Sequence, residues 1–454
     1  MPCLGRATDA LCVVLLSALV GVGSHRADAA LCVDAAVGLA PEGAGPVGAS
    51  SAPTPRQPID GRAFPEGVLA LTWDDGPDRD TLELARFLHQ ERVPGTFFVV
   101  GEWVEQLSQD PGWGRGVFAT GHARLPVLAE LVALGHRIGN HTQHHVLLTA
   151  ASPAQLQREL AQNQLAIAPF VAERLPMFRA PGGAWNDAAA RALDAAPELS
   201  ALVGPISCDV DQKDWENAVY DLCQRPSDCE PGPRGPRVKA SVTAKAYLDA
   251  IVSRGHGIVL LHDRVGDVGS RYALDVARAL VPALVARGYV FAAPVLGFST
   301  LSLRMPADAW PAVDPASLVL ADVNGDGRAD ACVRAGGRVV CALSELERDA
   351  LGLPRTVFRA PRTPIHPPSW VGGALRGEAN GSHHGDLNGD GRPDACASDG
   401  DGVSCALAGP HGLLAATRWL RQPVSAFALG DVNGDGRADL CAWTPEGLAC
   451  AMAP

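Results

Sequence analysis

Val68-Leu69-Ala70-Leu71-Thr72-Trp73-Asp74-Asp75-Gly76-Pro77 is an apolar run that ends in two carboxylates and a Gly-Pro break. It reads as a buried strand with a turn behind it. Asp74 and Asp75 then stand at the strand's C-terminal edge, where α/β folds assemble their chemistry. Adjacent carboxylates repel, so a fold that directs both into one cleft needs a cation or a proton to hold them. Candidate partners lie in Gly139-Asn140-His141-Thr142-Gln143-His144-His145. His141 and His145 are four apart, a spacing that on a helical turn projects both imidazoles from one face. A zinc-protease reading needs Glu after the first His, and position 142 is Thr. Asp75, His141 and His145 instead make a three-ligand centre that leaves a coordination position open.

Three further segments follow in order: Arg179-Ala180-Pro181-Gly182-Gly183, Asp211-Gln212-Lys213-Asp214-Trp215 and Leu260-Leu261-His262-Asp263. With these five motifs the chain, over roughly residues 64 to 300, resembles the polysaccharide deacetylases (carbohydrate esterase family 4, the NodB-homology group). The resemblance implies an α/β, distorted and incomplete (β/α) barrel that hydrolyses N-acetyl or O-acetyl groups of a glycan and releases acetate.

By the same resemblance, Asp74 is the general base that deprotonates the attacking water, and Asp75, His141 and His145 hold a divalent metal. Zn2+ is the expected ion, with Co2+, Ni2+ or Mn2+ as alternatives. Arg179 steadies Asp74, and His262 is the general acid, oriented by Asp214. Pro181, Gly182, Gly183, Trp215 and Leu260 form the substrate pocket, Trp215 and Leu260 enclosing the acetyl methyl group. A backbone N–H near Gly182 stabilises the oxyanion. The chain departs from the family pattern at Gly182, where an aromatic residue often lines the sugar cleft, and Trp185 is close enough in sequence to substitute.

At 454 residues and 47% hydrophobic content the chain has room for two to three domains. Ala10 to Gly23 is an apolar core behind Arg6, and Ala27-Asp28-Ala29 fits signal-peptide cleavage, so residues 1–29 are expected to direct export. No other apolar run is long enough to span a membrane. Residues 30–63, rich in Ala, Gly, Pro and Ser, read as a flexible linker. The catalytic domain is placed at 64–302, with helices expected at Thr81 to Arg92, Gln155 to Leu165 and Ala273 to Arg287. Insertions are expected at Gln106 to Arg124 and at Tyr220 to Val238, the second closed by Cys223 and Cys229.

From about residue 313 the pattern changes. Asp322-Val323-Asn324-Gly325-Asp326-Gly327-Arg328-Ala329-Asp330 recurs at Asp386, Asn388, Asp390, Arg392 and Asp394, and again at Asp431, Asn433, Asp435, Arg437 and Asp439. Oxygen side chains at positions one, three, five and nine around a Gly suit calcium, while the absence of Glu at position twelve argues against an EF-hand. The loops resemble the FG-GAP or VCBS repeats of β-propeller blades. Each is followed by a cysteine pair nine residues apart, Cys332 with Cys341, Cys396 with Cys405 and Cys441 with Cys450, which suggests a disulfide across adjacent strands. Cys32 and Cys208 are then left over, a pair that sequence alone does not assign. The loops' nine Asp and three Arg carry half of the net charge of −12, and an acidic chain without basic clusters is a poor nucleic-acid binder.

The expected protein is therefore an exported deacetylase, periplasmic, cell-surface or extracellular, acting on an acetylated polysaccharide. Its module at 313–454 would attach it to a polymer or cell surface. All five motifs precede residue 264, so a chain cut near Pro311 should keep its chemistry. The contrasting expectation is a degenerate carbohydrate-binding or adhesion scaffold whose metal is structural.

Overall fold

The computed structural model describes residues 56–78, 80–104, 126–171, 175–218, 238–265, 271–297, 303–310, 312–324, 326–335, 338–348, 354–359, 383–399, 401–424 and 426–453. The expected leader, the insertion at 106–124, most of that at 220–238, and Cys32 lie outside them.

Six parallel strands build the N-terminal half: β1 (Val68–Gly76), β2 (Gly95–Val99), β3 (Arg137–Asn140), β4 (Val210–Asp211), β5 (Gly257–His262) and β6 (Val290–Phe291). Their order is β3-β2-β1-β5-β4, with β6 on the start of β1. Isolated parallel bridges Asn140–Phe178, Met177–Val203 and Ile59–Ile206 continue the sheet beyond β3, in keeping with a distorted, incomplete barrel. Side chains alternate along β1. Leu69, Leu71 and Trp73 face a cluster with helices Thr81–Gln90 and Tyr272–Val285, while Val68 and Ala70 join the inner cluster. Thr72 and Asp74 share the parity of that inner set, and on β5 so do Leu260 and His262. Expected helices are present at Thr81–Gln90, Pro153–Val171 and Tyr272–Val285.

The described residues of the C-terminal half form β-strands, apart from the single 3-10 turn Ala307–Ala309. Three units begin with β8 (Asp314–Ala321), β9 (Asp330–Ala335) and β10 (Arg338–Ala342), followed by the hairpin β11 (Ser344–Arg348) and β12 (Pro354–Phe358). The second unit holds β13 (His383–Gly385), β14 (Asp394–Ser398), β15 (Val403–Ala406) and β18 (Thr417–Leu420), with the small hairpin β16 (Ala408–Gly409) and β17 (Gly412–Leu413). The third holds β19 (Ala426–Gly430), β20 (Asp439–Thr444) and β21 (Gly447–Ala451). Its fourth strand is β7 (Leu303–Pro306), which pairs antiparallel with β21. Each cysteine pair is a cross-strand disulfide, with Cys332 opposite Cys341, Cys396 opposite Cys405 and Cys441 opposite Cys450. Cys208 is also disulfide-bonded.

Two sequence expectations need correction. Residues 56–63, placed in the linker, are built into the barrel: Ile59 donates to Pro205 O at 2.8 Å and accepts from Ser207 N at 2.7 Å. The C-terminal module, expected to be separable, shares a core with the barrel. Phe64, Val68, Ala70, Ile258 and Val290 form one buried cluster with Leu387, Val403, Leu407, Trp419 and Leu420 of the second unit. Polar ties span the same contact, Asn388 Nδ2 donating to Phe291 O at 2.8 Å and the buried Arg437 donating to Gly135 O. The physical reason is that the lumen residues of β1, β5 and β6 present apolar surface at the strands' N-terminal ends, and the second unit covers it.

Candidate active site

Adjacent strand residues normally point to opposite faces. Asp74 and Asp75 escape this rule because Asp75 has φ 70° and the β1–β2 register shifts between Asp74 and Gly76. Such a bulge re-aims a side chain, so both carboxylates reach one cleft. Asp74 Oδ1 accepts from Arg179 Nη1 at 2.7 Å, and the same nitrogen donates to Thr72 Oγ1 at 2.8 Å. Arg179 is fixed further by Ile206 O and Ser207 O, each at 3.0 Å, and lies over the Phe98 ring.

The histidine pair does not lie on a helix. Residues 141–145 form a loop with Thr142 at φ 67° and His145 at φ 53°, values no helix accommodates. The loop still brings the rings together, with centroids 5.1 Å apart. His141 Nδ1 donates to Arg179 O at 2.9 Å, which leaves Nε2 free for a metal. Asp75 Oδ1 lies 3.3 Å from His141 Nε2 and 3.0 Å from His145 Nε2, buried and without a well-formed hydrogen bond. The ligand atoms of Asp75, His141 and His145 fall within 4.8 Å of one another. A carboxylate and two imidazoles converging in this way fit a divalent cation. Burial pushes the Asp75 carboxyl up, but His145, His141 and His262 outweigh it and hold the group well below the usual carboxylate range. It is therefore ionised and able to ligate.

Across the cleft, His262 Nδ1 donates to Asp214 Oδ1 at 2.8 Å, and the His262 backbone N–H donates to Asp214 Oδ2 at 2.9 Å. Burial pulls the imidazolium down, yet Asp214, with Asp75 and Asp74, lifts it to about 10. The ring is charged at neutral pH and has a proton to give. Tyr247 Oη donates to Leu260 O at 2.7 Å and faces Asp214 from behind, burial and that carboxylate keeping it a phenol.

Asp74, Asp75, His141, His145, Arg179 and His262 line one cavity of about 120 Å3, closed by Gly182, Gly183, Trp215, Leu260 and Trp185. Two expected site residues do not touch it. Asp214 stands behind His262, and Pro181 is buried under the turn whose Gly182 and Gly183, at φ 59° and 62°, face the cavity.

Sequence reading missed the supports. Glu159, buried in helix Pro153–Val171, accepts from His144 N at 2.8 Å and contacts His144 Nδ1 at 3.0 Å. Asn163, one turn on, donates to Val99 O, Thr142 O and Asn140 Oδ1. A polar pair at i, i+4 among Leu156, Leu160 and Ile167 was the available signal. Asp263, pushed up to about 8 by burial, takes a 2.6 Å bond from Thr81 Oγ1 and ties the end of β5 to the start of helix Thr81–Gln90.

In the C-terminal loops the first Asp of each copy accepts N–H groups of its own turn: Asp386 from Gly389 at 2.7 Å and Gly391 at 2.7 Å, Asp431 from Gly434 at 2.6 Å and Gly436 at 2.8 Å. Asp322 does the same with Asp326 and Gly327. The ninth-position Asp330, Asp394 and Asp439 are buried and accept two backbone N–H groups each, stapling the loop to the chain just past the disulfide-linked strand pair. Asn388 Oδ1 is buried without a partner, an oxygen a hard cation would satisfy. The arginine side chains serve packing: Arg437 lies against Gly389 of the second loop, and Arg328 against Gly434 of the third.

Residues 61–197 match the family model described as polysaccharide deacetylase. The chain is similar to a chitooligosaccharide deacetylase of Bradyrhizobium, 29% identical over 230 residues that cover 48% of this chain and 85% of the relative. A peptidoglycan-N-acetylglucosamine deacetylase of Bacillus cereus is 29% identical over 230 residues, covering 50% and 85%. A chitin deacetylase of Pestalotiopsis is 29% identical over 150 residues, covering 33% and 44%. The segment from residue 61 to residue 197 is a polysaccharide deacetylase domain.

Proposed function

We propose that the protein is an exported, divalent-metal-dependent deacetylase that removes acetyl groups from an N-acetylglucosamine polymer such as chitin, peptidoglycan or poly-N-acetylglucosamine. The observation that carries the reading is the convergence of a base and an acid on one cavity: Asp74 held by Arg179, and His262 charged by Asp214. A binding scaffold has no use for that pair. Asp75, His141 and His145 would hold the cation, which when bound supplies Lewis-acid polarisation of the carbonyl and lowers the pKa of water.

Asp74, its Oδ1 turned to Arg179, takes a proton from the attacking water through Oδ2. Asp214 fixes the His262 ring through Nδ1, so Nε2 is the atom that passes a proton to the leaving nitrogen as the C–N bond breaks. Trp215 and Leu260 exclude water from the acetyl methyl group, and a backbone N–H near Gly182 assists the oxyanion. The products are acetate and a free amine. We also propose calcium in the three loops, supported by their acidic repeats and the orphaned Asn388 oxygen, and attachment to a polymer or cell surface through the C-terminal module. Export is supported by the disulfides, and no helix among the described residues is long and apolar enough to cross a membrane.

The test is acetate release by purified protein from chitooligosaccharides, peptidoglycan, poly-N-acetylglucosamine and acetylxylan, before and after chelation and reloading with Zn2+, Co2+, Ni2+ or Mn2+. Acetate from an N-acetylglucosamine polymer, lost on chelation and restored by metal, is expected. Silence on all four polymers with metal present would refute the reading.

A further inference from the structure

The stretch 56–60, whose Pro58 lines the cavity, is fastened at three points. Arg56 Nε donates to Asp194 Oδ1 at 3.1 Å, and its guanidinium also reaches Leu202 O. Ile59 bonds on both sides to the segment 205–207. Between these anchors, the carbonyl of Arg56 accepts the indole N–H of Trp185 at 3.0 Å. Pro58 and Trp185 both line the cavity that contains Asp75 and His262.

Trp185 is half-buried, tilted against Phe178 with centroids 5.5 Å apart, and its only polar atom is taken by the strap. Gly182 and Gly183 line the same cavity and carry no side chain to screen it. A ring fixed on one edge and one face, and open toward a catalytic cavity, suits the C–H face of a pyranose, which aromatic surface buries well.

We propose that residues 56–60 are the sugar-facing wall of this cleft, and that they hold Trp185 as the platform for the glycan ring that bears the acetyl group. The proposal rests on the deacetylase reading and deepens it. The strap supplies ground-state binding of the sugar and leaves the chemical step to Asp74 and His262. Arg56 is a positioning residue: its side chain lies outside the cavity lining and acts through the strap.

The experiment uses the full chain and the N-acetylglucosamine tetramer as probe. Arg56→Met should raise KM for the tetramer about tenfold with kcat within twofold, the pattern of lost uniform binding. Its kcat/KM on an aryl acetate, which has no sugar, should stay at the wild-type value. Trp185→Phe keeps an aromatic face but loses the indole N–H and part of the ring area, so its KM should fall between those of wild type and Trp185→Ala. In an Asp74→Asn background, which removes turnover, calorimetry should show tetramer binding weakened about tenfold by Arg56→Met. A fall in kcat on both substrates with KM unchanged would overturn the proposal, because the strap would then act on the chemistry through Ile206, Ser207 and Arg179. Unchanged tetramer binding, or none in any variant, would overturn it too. A wild type that binds the tetramer through the strap yet releases no acetate would remove the deacetylase reading and leave the wall standing.

Discussion

Leu387 stands in the first turn of the second calcium-type loop, fully buried, in one cluster with Phe64, Val68 and Val290 of the barrel. Leu387→Ala removes side-chain carbons from a site with little room to collapse, at a cost of ~3 kcal/mol, within the range of about 2–5 kcal/mol for such changes. The shared core implies one cooperative unit. With an unfolding entropy of about 2.1 cal/mol/K per residue, a unit of nearly the whole chain should lose roughly 3–4 °C in Tm. An independent module of about 140 residues would lose roughly 10 °C in its own transition, and the barrel's would stay where it was. Differential scanning calorimetry, paired with residual activity after brief heating, separates the cases. The expected result is a single transition whose small shift is matched by earlier loss of activity. Two resolved transitions, with only the smaller one moving, would refute the shared core. The same reasoning reverses the expectation for a chain cut near Pro311, which should aggregate because Val68, Ala70, Ile258 and Val290 lose their cover.

Asp74→Asn should abolish turnover with metal retained, whereas His141→Ala should lose both; metal analysis of the purified variants checks this, and equal metal loss would show the base and ligand roles to be misassigned. Activity should be bell-shaped in pH, the alkaline limb reporting loss of the His262 proton, because a raised pKa keeps the acid form present until the pH passes it. Asp214→Asn removes the largest upward influence, so that limb should move from about 10 toward the ordinary 6.5, each unit being worth about 1.4 kcal/mol; an unmoved limb would release Asp214 from its role. Calcium at a hundredfold excess over its Kd should stabilise the fold by about 2.7 kcal/mol per site, read as a rise in Tm that chelation reverses, and a calcium-insensitive melt would refute the loop assignment.

The candidate site was legible because the groups that line its cavity include polar residues in short, ordered segments. Asp75, His141 and His145 converge as expected, although the histidines do so through two left-handed residues in a loop and not through a helical turn. Glu159, Asn163 and Asp263 were not legible. They act on backbone N–H and C=O groups or on a single hydroxyl, and in sequence they are single polar residues inside apolar elements. The strap and the shared core escaped for another reason. Pro58 and Leu387 owe their roles to contacts with residues more than a hundred positions away, and their composition resembles that of a linker and of a loop.

β7 lies at the exit of the barrel, yet its partner is β21, with Pro306 opposite Gly447 about 140 residues later in the chain. At a synthesis rate of about 5–20 residues per second, some 7–28 s separate the two strands as the chain is made. During that interval the barrel's open end and an unpaired edge are both present without their cover. The order of synthesis thus leaves the catalytic half waiting for its lid, and makes the nascent chain, more than the finished enzyme, the species that depends on protection from aggregation.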